Sequence, residues 1–125
     1  MPYDSSVMKI LIVDDATYVL KALQDLLGAH GYQVYGAANG EEALARYREL
    51  NPDLVLMDIL MPKLDGVSAT KEILQYDHTA RIVVITAVGK PGLEKDCIAA
   101  GAKSFIMKPF KSQDLIKTIE LVCKK

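Results

Sequence analysis

Three apolar runs in the chain are continuous rather than alternating, and they restrict the fold more than any other feature of the sequence. They occupy residues 10–13, 54–57 and 82–85. A strand with one face in water alternates apolar and polar residues, so these runs predict strands that are covered on both faces. Strands of that kind belong to a parallel sheet with helices packed on both sides.

The remaining sequence completes an alternation of strands and helices. Two weaker strand candidates, at residues 33–37 and 104–107, bring the number of predicted strands to five, and segments with a helical period separate them. This pattern predicts an α/β fold of the (βα)5 type. Right-handed crossovers leave few arrangements for five such units, and we expect the flavodoxin-like strand order 2-1-3-4-5.

Particular residues predict the ends of the helices. The first helix is expected from about Ala16 to Ala29, with Gly31 as its stop, and Gly101 is expected to end the fourth. Asn39 and Ser112 are predicted N-caps of the second and fifth helices. Met57, Met61 and Met107 are expected to fill the core.

Length and charge exclude several classes of protein. The 125 residues fit one domain, 1–125, with its core at about 9–122 and no output domain, and a net charge of −1 argues against binding to nucleic acid or a membrane surface. We expect a cytoplasmic protein, since no secretory signal is apparent at the start of the sequence. Cys97 and Cys123 are too few for a disulfide framework and lack metal-ligand spacing.

Polar residues follow the predicted strands at their carboxyl ends. Asp14 and Asp15 come directly after the first apolar run, Asp58 follows the third strand, Thr86 ends the fourth, and Lys108 follows the fifth. The carboxyl edge of an open α/β sheet is where its ligand crevice lies, and the expected order places the first and third strands side by side. The three carboxylates are therefore expected to converge.

Convergence of carboxylates favours a bound cation. Two like charges 4 Å apart repel by roughly 4 kcal/mol at an effective dielectric constant near 20. Oxygen ligands without histidine or cysteine suit Mg²⁺, with Mn²⁺ as an alternative. With Lys108 as a further positive charge and Thr86 as a hydroxyl, the site suits a phosphoryl group, which Asp58 is placed to accept covalently.

Each of these residues also has a purely local explanation. Asp14 and Asp15 would be suitable caps of the first helix, Asp58 a turn residue, Thr86 an ordinary β-branched strand residue, and Lys108-Pro109 a helix entry. Helix capping does not explain why all of them fall on one edge of the same sheet. The coincidence therefore favours a functional site.

The chain resembles the receiver domains of two-component response regulators, especially the stand-alone chemotaxis type. The resemblance covers residues 9–122, and receiver domains are themselves a standard example of the strand order 2-1-3-4-5. The matching motifs are Leu11-Ile12-Val13-Asp14-Asp15, Leu56-Met57-Asp58 with Met61-Pro62 and Asp65-Gly66, Thr86-Ala87, and Ala100-Gly101-Ala102 leading to Lys108-Pro109-Phe110.

The resemblance implies a role for each site residue. Asp58 would be phosphorylated by a sensor histidine kinase, and Thr86 and Lys108 would bind the phosphoryl oxygens. Asp15 would ligate Mg²⁺ directly, Asp14 would act through metal-bound water or by orientation, and Leu60 would contribute its backbone carbonyl. The resemblance also implies a cis Lys108-Pro109 bond, and it places Phe105 at the position of an aromatic switch residue.

The resemblance further implies a switch rather than an enzyme, one that catalyses only its own phosphorylation and dephosphorylation. The signal would leave through the fourth helix, fifth strand and fifth helix, where Lys103, Lys111 and Lys117 suit an acidic segment of an effector protein. We expect a monomer and leave dimerisation on phosphorylation open. Chemotaxis signalling and a phosphorelay intermediate are both compatible with the sequence.

Three residues depart from the pattern of many receiver domains. Phe105 replaces a tyrosine, so it can fill a pocket but cannot donate a hydroxyl hydrogen bond. Leu60 and Val88 each lie two positions beyond a site residue and flank the expected path of an attacking water, which neither side chain can orient. Slow self-dephosphorylation is therefore expected.

Other classes of function fit the sequence less well. A phosphatase of the haloacid-dehalogenase type needs a second aspartate two residues after the nucleophile, where this chain has Leu60. In a flavodoxin-like FMN carrier, Asp14 and Asp15 would repel the phosphate. A degenerate receiver that only docks to partners would not need all of the acceptor-site residues.

Overall fold

The computed structural model describes residues 7–59, 65–87 and 89–123, and over these ranges strands and helices alternate strictly. No helix in these ranges is long and apolar enough to cross a membrane. The elements are β1 (Lys9–Val13), α1 (Thr17–Ala29), β2 (Gln33–Ala37), α2 (Gly40–Leu50), β3 (Leu54–Met57), α3 (Gly66–Tyr76), β4 (Ile82–Thr86), α4 (Leu93–Ala99), β5 (Ser104–Met107) and α5 (Ser112–Val122).

The strands form one parallel sheet in the order β2-β1-β3-β4-β5. This confirms the predicted fold class and strand order. The three central strands β1, β3 and β4 are the continuous apolar runs, and their residues from Ile10 to Val13, Leu54 to Met57 and Ile82 to Ile85 are at most 3% exposed. The two weaker strand candidates form the edges of the sheet.

Alternate residues of the strands supply two cores, one on each face of the sheet. On one face, strand residues such as Leu11 and Val55 pack with Ala43 and Tyr47 of α2 and Ile73 of α3. The other core combines strand residues with residues of α1 and α5: Ile10, Ile12, Leu54, Leu56, Val83, Ile85, Leu23, Leu27, Leu115 and Ile119. A smaller cluster of Ile59, Val84, Cys97 and Ala102 lies beneath α4.

The helix ends agree with the sequence prediction in most places. Asn39 caps α2, where its side chain accepts a hydrogen bond from the Glu42 N–H at 2.9 Å. Gly31 and Gly101 follow α1 and α4 with φ of 91° and 113°, which glycine adopts without strain. The prediction for Ser112 was wrong. Lys111 is the last extended residue and its carbonyl accepts the N–H of Asp114, so α5 begins at Ser112 without a side-chain cap.

Candidate functional site

Strand register brings Asp14 and Asp58 side by side at the carboxyl edge of the sheet. Val13 of β1 lies opposite Met57 of β3, and each aspartate is the next residue along its strand. The Asp58 N–H donates to the Val13 carbonyl at 2.9 Å, and the Asp14 N–H donates to the Ala37 carbonyl at 3.0 Å. These bonds continue the sheet pairing by one residue and fix both aspartate backbones.

The three predicted carboxylates converge. Asp14, Asp15 and Asp58 each offer one oxygen, and these oxygens lie within 4.8 Å of one another. Asp14 is buried, Asp58 is half-buried and Asp15 is exposed, so the cluster opens to solvent on one side. An all-oxygen cluster that leaves room for coordinated water fits Mg²⁺ or Mn²⁺.

Asp14 is held from two directions. Its Oδ2 accepts a hydrogen bond from the Lys108 ammonium at 3.1 Å, and its Oδ1 accepts one from the Ala16 N–H at 2.9 Å. The side chain is only 5% exposed, so the ion pair is largely shielded from solvent. Ala16 is the N-cap residue of α1 and the helix has no side-chain cap, so Asp14 orders the entry to the helix through the Ala16 N–H without being its cap.

The pKa of Asp58 reflects its surroundings. Burial raises this pKa above its ordinary value and the negative charge of Asp14 raises it further, with a smaller contribution from Asp15. The Lys108 ammonium and the Ile59 N–H, which donates to Asp58 Oδ1 at 2.8 Å, lower it. Because burial and the neighbouring carboxylates together outweigh Lys108 and the Ile59 N–H, the surroundings disfavour the ionised form of Asp58, which a bound cation would favour.

Gly66 lets α3 approach the backbone of Asp58. A Cβ atom at this position would clash with the Asp58 carbonyl oxygen and would lie 2.8 Å from Ile59 Cα. The Gly66 N–H donates to the Ile59 carbonyl at 3.0 Å, and Asp65 caps the helix through the Ser68 N–H at 2.9 Å. In the sequence Gly66 is part of the Asp65-Gly66 motif, which does not by itself reveal the contact with the Asp58 backbone.

Thr86 and Lys108 complete the edge of the site. Thr86 ends β4 and is fully buried, and it lies opposite Met107 of β5. The Lys108 N–H donates to the Thr86 carbonyl at 2.8 Å, so the pairing of these strands continues to the lysine. The Lys108-Pro109 peptide bond is cis. The backbone therefore holds both residues at the edge where the carboxylates meet.

Phe105 lies deeper along β5 and faces α4. It is half-buried, lies opposite Val84 of β4, and packs against the cluster beneath α4. Together with Ile98 and Met107 it lines a groove between α4 and β5. Met107 is 42% exposed, so its predicted role in the core was wrong: β5 is an edge strand, and this side chain faces the groove.

Two of the sequence predictions fall outside the described residues. Leu60, whose carbonyl is an expected metal ligand, and Val88, beside the expected path of the attacking water, both lie in the gaps between the described ranges. The same holds for Met61 and Pro62 of the acceptor motif. Their roles stay predictions.

Comparison with protein families gives one match over most of the chain. Residues 10–120 match the family described as the response regulator receiver domain. The chain is 44% identical over 117 residues to a chemotaxis protein CheY from Thermotoga maritima, covering 93% of this chain and 98% of that protein. It is 46% identical over 112 residues to a chemotaxis protein CheY from Bacillus subtilis, covering 89% and 93% of the two chains.

Solved structures agree in fold. A CheY chain in the crystal structure of a CheX-CheY-BeF3-Mg+2 complex from Borrelia burgdorferi superposes with a TM-score of 0.91 at 38% identity, and the match covers 98% of this chain and 95% of that one. A chemotaxis protein CheY4 from Vibrio cholerae superposes with a TM-score of 0.88 at 30% identity, covering 93% of this chain and 98% of that one.

Proposed function

The chain belongs to the response regulator receiver domain family, and on that premise we propose that it is a phospho-accepting switch whose acceptor is Asp58. A sensor histidine kinase is the phosphoryl donor, and the chain catalyses only its own phosphorylation and dephosphorylation. The observation that supports this most directly is the convergence of Asp14, Asp15 and Asp58, whose ligand oxygens lie within 4.8 Å of one another. Lys108, bonded to Asp14 at 3.1 Å, adds the positive charge that phosphoryl transfer requires.

In the proposed transfer, a carboxylate oxygen of Asp58 attacks the phosphorus of a phosphohistidine. A P–O bond forms, the P–N bond breaks, and the imidazole leaves as the nucleophile is converted to an acyl phosphate. A cation held by Asp14, Asp15, Asp58 and the Leu60 carbonyl would neutralise charge on the phosphoryl oxygens. The Ile59 N–H and the α3 contact at Gly66 orient the acceptor throughout.

Two contacts formed only after phosphorylation would drive the switch. The Lys108 ammonium and the Thr86 hydroxyl would bind phosphoryl oxygens, and hydrogen bonds to charged groups contribute roughly 1.5–3 kcal/mol each. Inverting a 1:99 population needs about 5.5 kcal/mol of differential binding, which two such contacts approach. Phe105 would report this change, since it lies on the strand that Thr86 pairs with and packs beneath α4.

We propose that the effector protein binds to the surface formed by α4, β5 and α5. Ile98 and Met107 are 46% and 42% exposed and line the groove beside Phe105, so a rearrangement of that ring would reach solvent there. Lys90 and Lys95 line the groove, and Lys103 directly precedes β5. A partner protein with an apolar anchor residue and acidic flanking residues therefore fits this surface. By similarity to the chemotaxis proteins, the effector belongs to a chemotaxis pathway, and a phosphorelay partner is the alternative.

Phosphorylation by a small-molecule donor tests the proposal. After incubation with acetyl phosphate and MgCl₂, intact-mass spectrometry should show the gain of one phosphoryl group in the parent and none in Asp58→Asn. Asp25→Asn is the matched control, because Asp25 is an exposed carboxylate paired with Lys21 on α1. Omitting the metal should abolish the gain. An equal gain in Asp58→Asn, or none in the parent, contradicts the proposal.

A dehalogenase-type phosphatase and an FMN carrier fit the chain less well than a receiver domain does. The position two residues beyond Asp58 is Leu60, which cannot serve as the acid of a dehalogenase-type phosphatase. The carboxylates of Asp14 and Asp15 stand at the carboxyl end of β1, where an FMN phosphate would have to bind.

A further inference from the structure

We propose that Met107 is an oxidation site, at which conversion of the thioether to a sulfoxide makes the groove between α4 and β5 too polar to hold an apolar partner residue. The oxidant is a peroxide, which removes two electrons from the sulfur. The inference rests on the proposed function, because it concerns the surface to which the effector protein is proposed to bind. It adds a form of regulation that acts at this surface rather than at Asp58.

Met107 is the exposed apolar residue at the end of β5. It lies two positions beyond Phe105, so the two side chains share one face of the sheet, while Ile106 packs against the core on the other face. Phe105 packs against the cluster beneath α4, but 42% of Met107 stays exposed. A Cβ atom at Gly89, in the loop before α4, would lie 3.4 Å from Met107 Cε. The thioether therefore reaches from β5 towards that loop and forms part of the groove wall.

Burial separates Met107 from the other methionines that the structure describes. Met57 is fully buried in one core, and Met8 is half-buried against the other. Peroxide oxidises a methionine whose sulfur it can reach, so Met107 should react before either of them. The two thiols compete poorly, because burial raises the pKa of both Cys97 and Cys123 and peroxide reacts with the thiolate.

The oxidation transfers one oxygen atom from hydrogen peroxide to the sulfur of Met107. An S–O bond forms, the O–O bond of the peroxide breaks, and the remaining oxygen leaves as water with both protons. The sulfur loses two electrons and the peroxide gains them. The sulfoxide is polar where the thioether was apolar, so an apolar residue that docks against it must strip water from the new oxygen without replacing the hydrogen bonds.

An exposed methionine with no role in binding would also be oxidised, but its oxidation would leave the groove unchanged. Met107 shares the groove wall with the apolar side chains of Phe105 and Ile98. Lys90 and Lys95 line the same groove. An apolar anion therefore suits the groove in the same way as an apolar anchor residue with acidic flanking residues. Anilinonaphthalene sulfonate, a dye with apolar rings and one negative charge, is the probe of this chemistry.

Fluorescence titration with this dye, before and after mild treatment with hydrogen peroxide, measures the effect of oxidation on the groove. The oxidised parent should bind the dye about tenfold more weakly, because complete burial of a methionine side chain contributes at least that factor. Met107→Leu keeps an apolar side chain without sulfur, so peroxide should leave its dye binding unchanged. Met107→Gln places a polar side chain there and should bind the dye weakly without any oxidant. Met8→Leu is the matched control outside the groove, and peroxide should weaken its dye binding as in the parent.

Peptide mapping by mass spectrometry locates the added oxygen in the same oxidised parent, which circular dichroism should show to be folded. We expect the oxygen at Met107 before Met8 and Met57. Oxidation of Met57 ahead of Met107, an equal loss of dye binding in Met107→Leu, or unchanged dye binding by the oxidised parent overturns the proposed regulation. A reduced parent that binds no dye overturns it as well. Neither measurement involves phosphorylation, so these outcomes leave Asp58 as the proposed acceptor, and a parent that accepts no phosphoryl group leaves the oxidation of Met107 standing.

Discussion

Replacing Gly66 by alanine should damage the candidate site through the backbone, without removing any of its functional groups. The added Cβ would meet the Asp58 carbonyl oxygen and lie 2.8 Å from Ile59 Cα, and neither atom can rotate away. Ordinary carbon contacts begin near 3.5 Å, so α3 would have to move outward by roughly 1 Å. That movement would also stretch the 3.0 Å hydrogen bond from the Gly66 N–H to the Ile59 carbonyl.

The expected cost follows from those two effects. Overpacking of a tight contact costs about 1–3 kcal/mol, and the weakened hydrogen bond adds about 1 kcal/mol. Gly66→Ala should therefore lower the free energy of unfolding by about 2–4 kcal/mol. Because a displacement of 1 Å at a reacting group can reduce its rate by about 10²-fold, phosphorylation of Asp58 by acetyl phosphate should slow by at least about tenfold.

Urea denaturation measures the loss of stability. The rate of mass gain measures phosphorylation, at a temperature where circular dichroism shows that the variant is folded. Gly28→Ala is the matched control: this glycine lies within α1, and a Cβ there would meet no atom within 4 Å. Alanine should raise stability at this position by about 0.5–1 kcal/mol and leave phosphorylation unchanged. A Gly66→Ala chain as stable and as reactive as the parent would refute the close approach of α3 to the acceptor backbone.

Two further predictions concern a buried tyrosine and the fate of the phosphoryl group. Hydrogen bonds from the Thr79 and Tyr47 hydroxyls lower the pKa of Asp77, and the bond from Tyr47 is 2.7 Å long. The stability that these bonds contribute is fully present above the unfolded pKa near 4 and is lost as the pH falls through the folded pKa. Tyr47→Phe should therefore lose about 1 kcal/mol at pH 7 and show a shallower decline in urea stability between about pH 5 and 3; parallel curves would contradict this. Leu60→Asn, which adds an amide able to orient water, should lose radiolabelled phosphate from Asp58 faster than the parent, and complete loss from the parent within seconds would rule out the expected slow hydrolysis.

The fold was predictable from the sequence because the burial of apolar residues determines it. Short continuous apolar runs are typical of strands covered on both faces of a sheet, and the weaker strands at 33–37 and 104–107 follow from the alternation of strands and helices. The error at Ser112 is of a different kind. A cap depends on the exact residue at which the chain leaves its extended path, and this chain leaves it at Lys111.

The sequence predicts those parts of the candidate site that lie at the carboxyl ends of the strands. Asp14, Asp15 and Asp58 converge because adjacent parallel strands end together, which the predicted topology already implied. The contact between Gly66 and Asp58 was not predictable from local pattern, because it depends on how α3 settles against the backbone. The exposure of Met107 was missed for a similar reason, since an apolar residue on an edge strand can face a groove rather than the interior.

The bond between Lys108 and Asp14 joins residues 94 positions apart in the chain. Closing so long a loop costs conformational entropy before the contact can stabilise the fold. A chain that has lost β5 and the residues after it lacks Lys108, although Asp14, Asp15 and Asp58 are still present in its sequence. The candidate site is therefore complete only once the whole sheet has formed, and the proposed switch would depend on β5 as much as on Asp58.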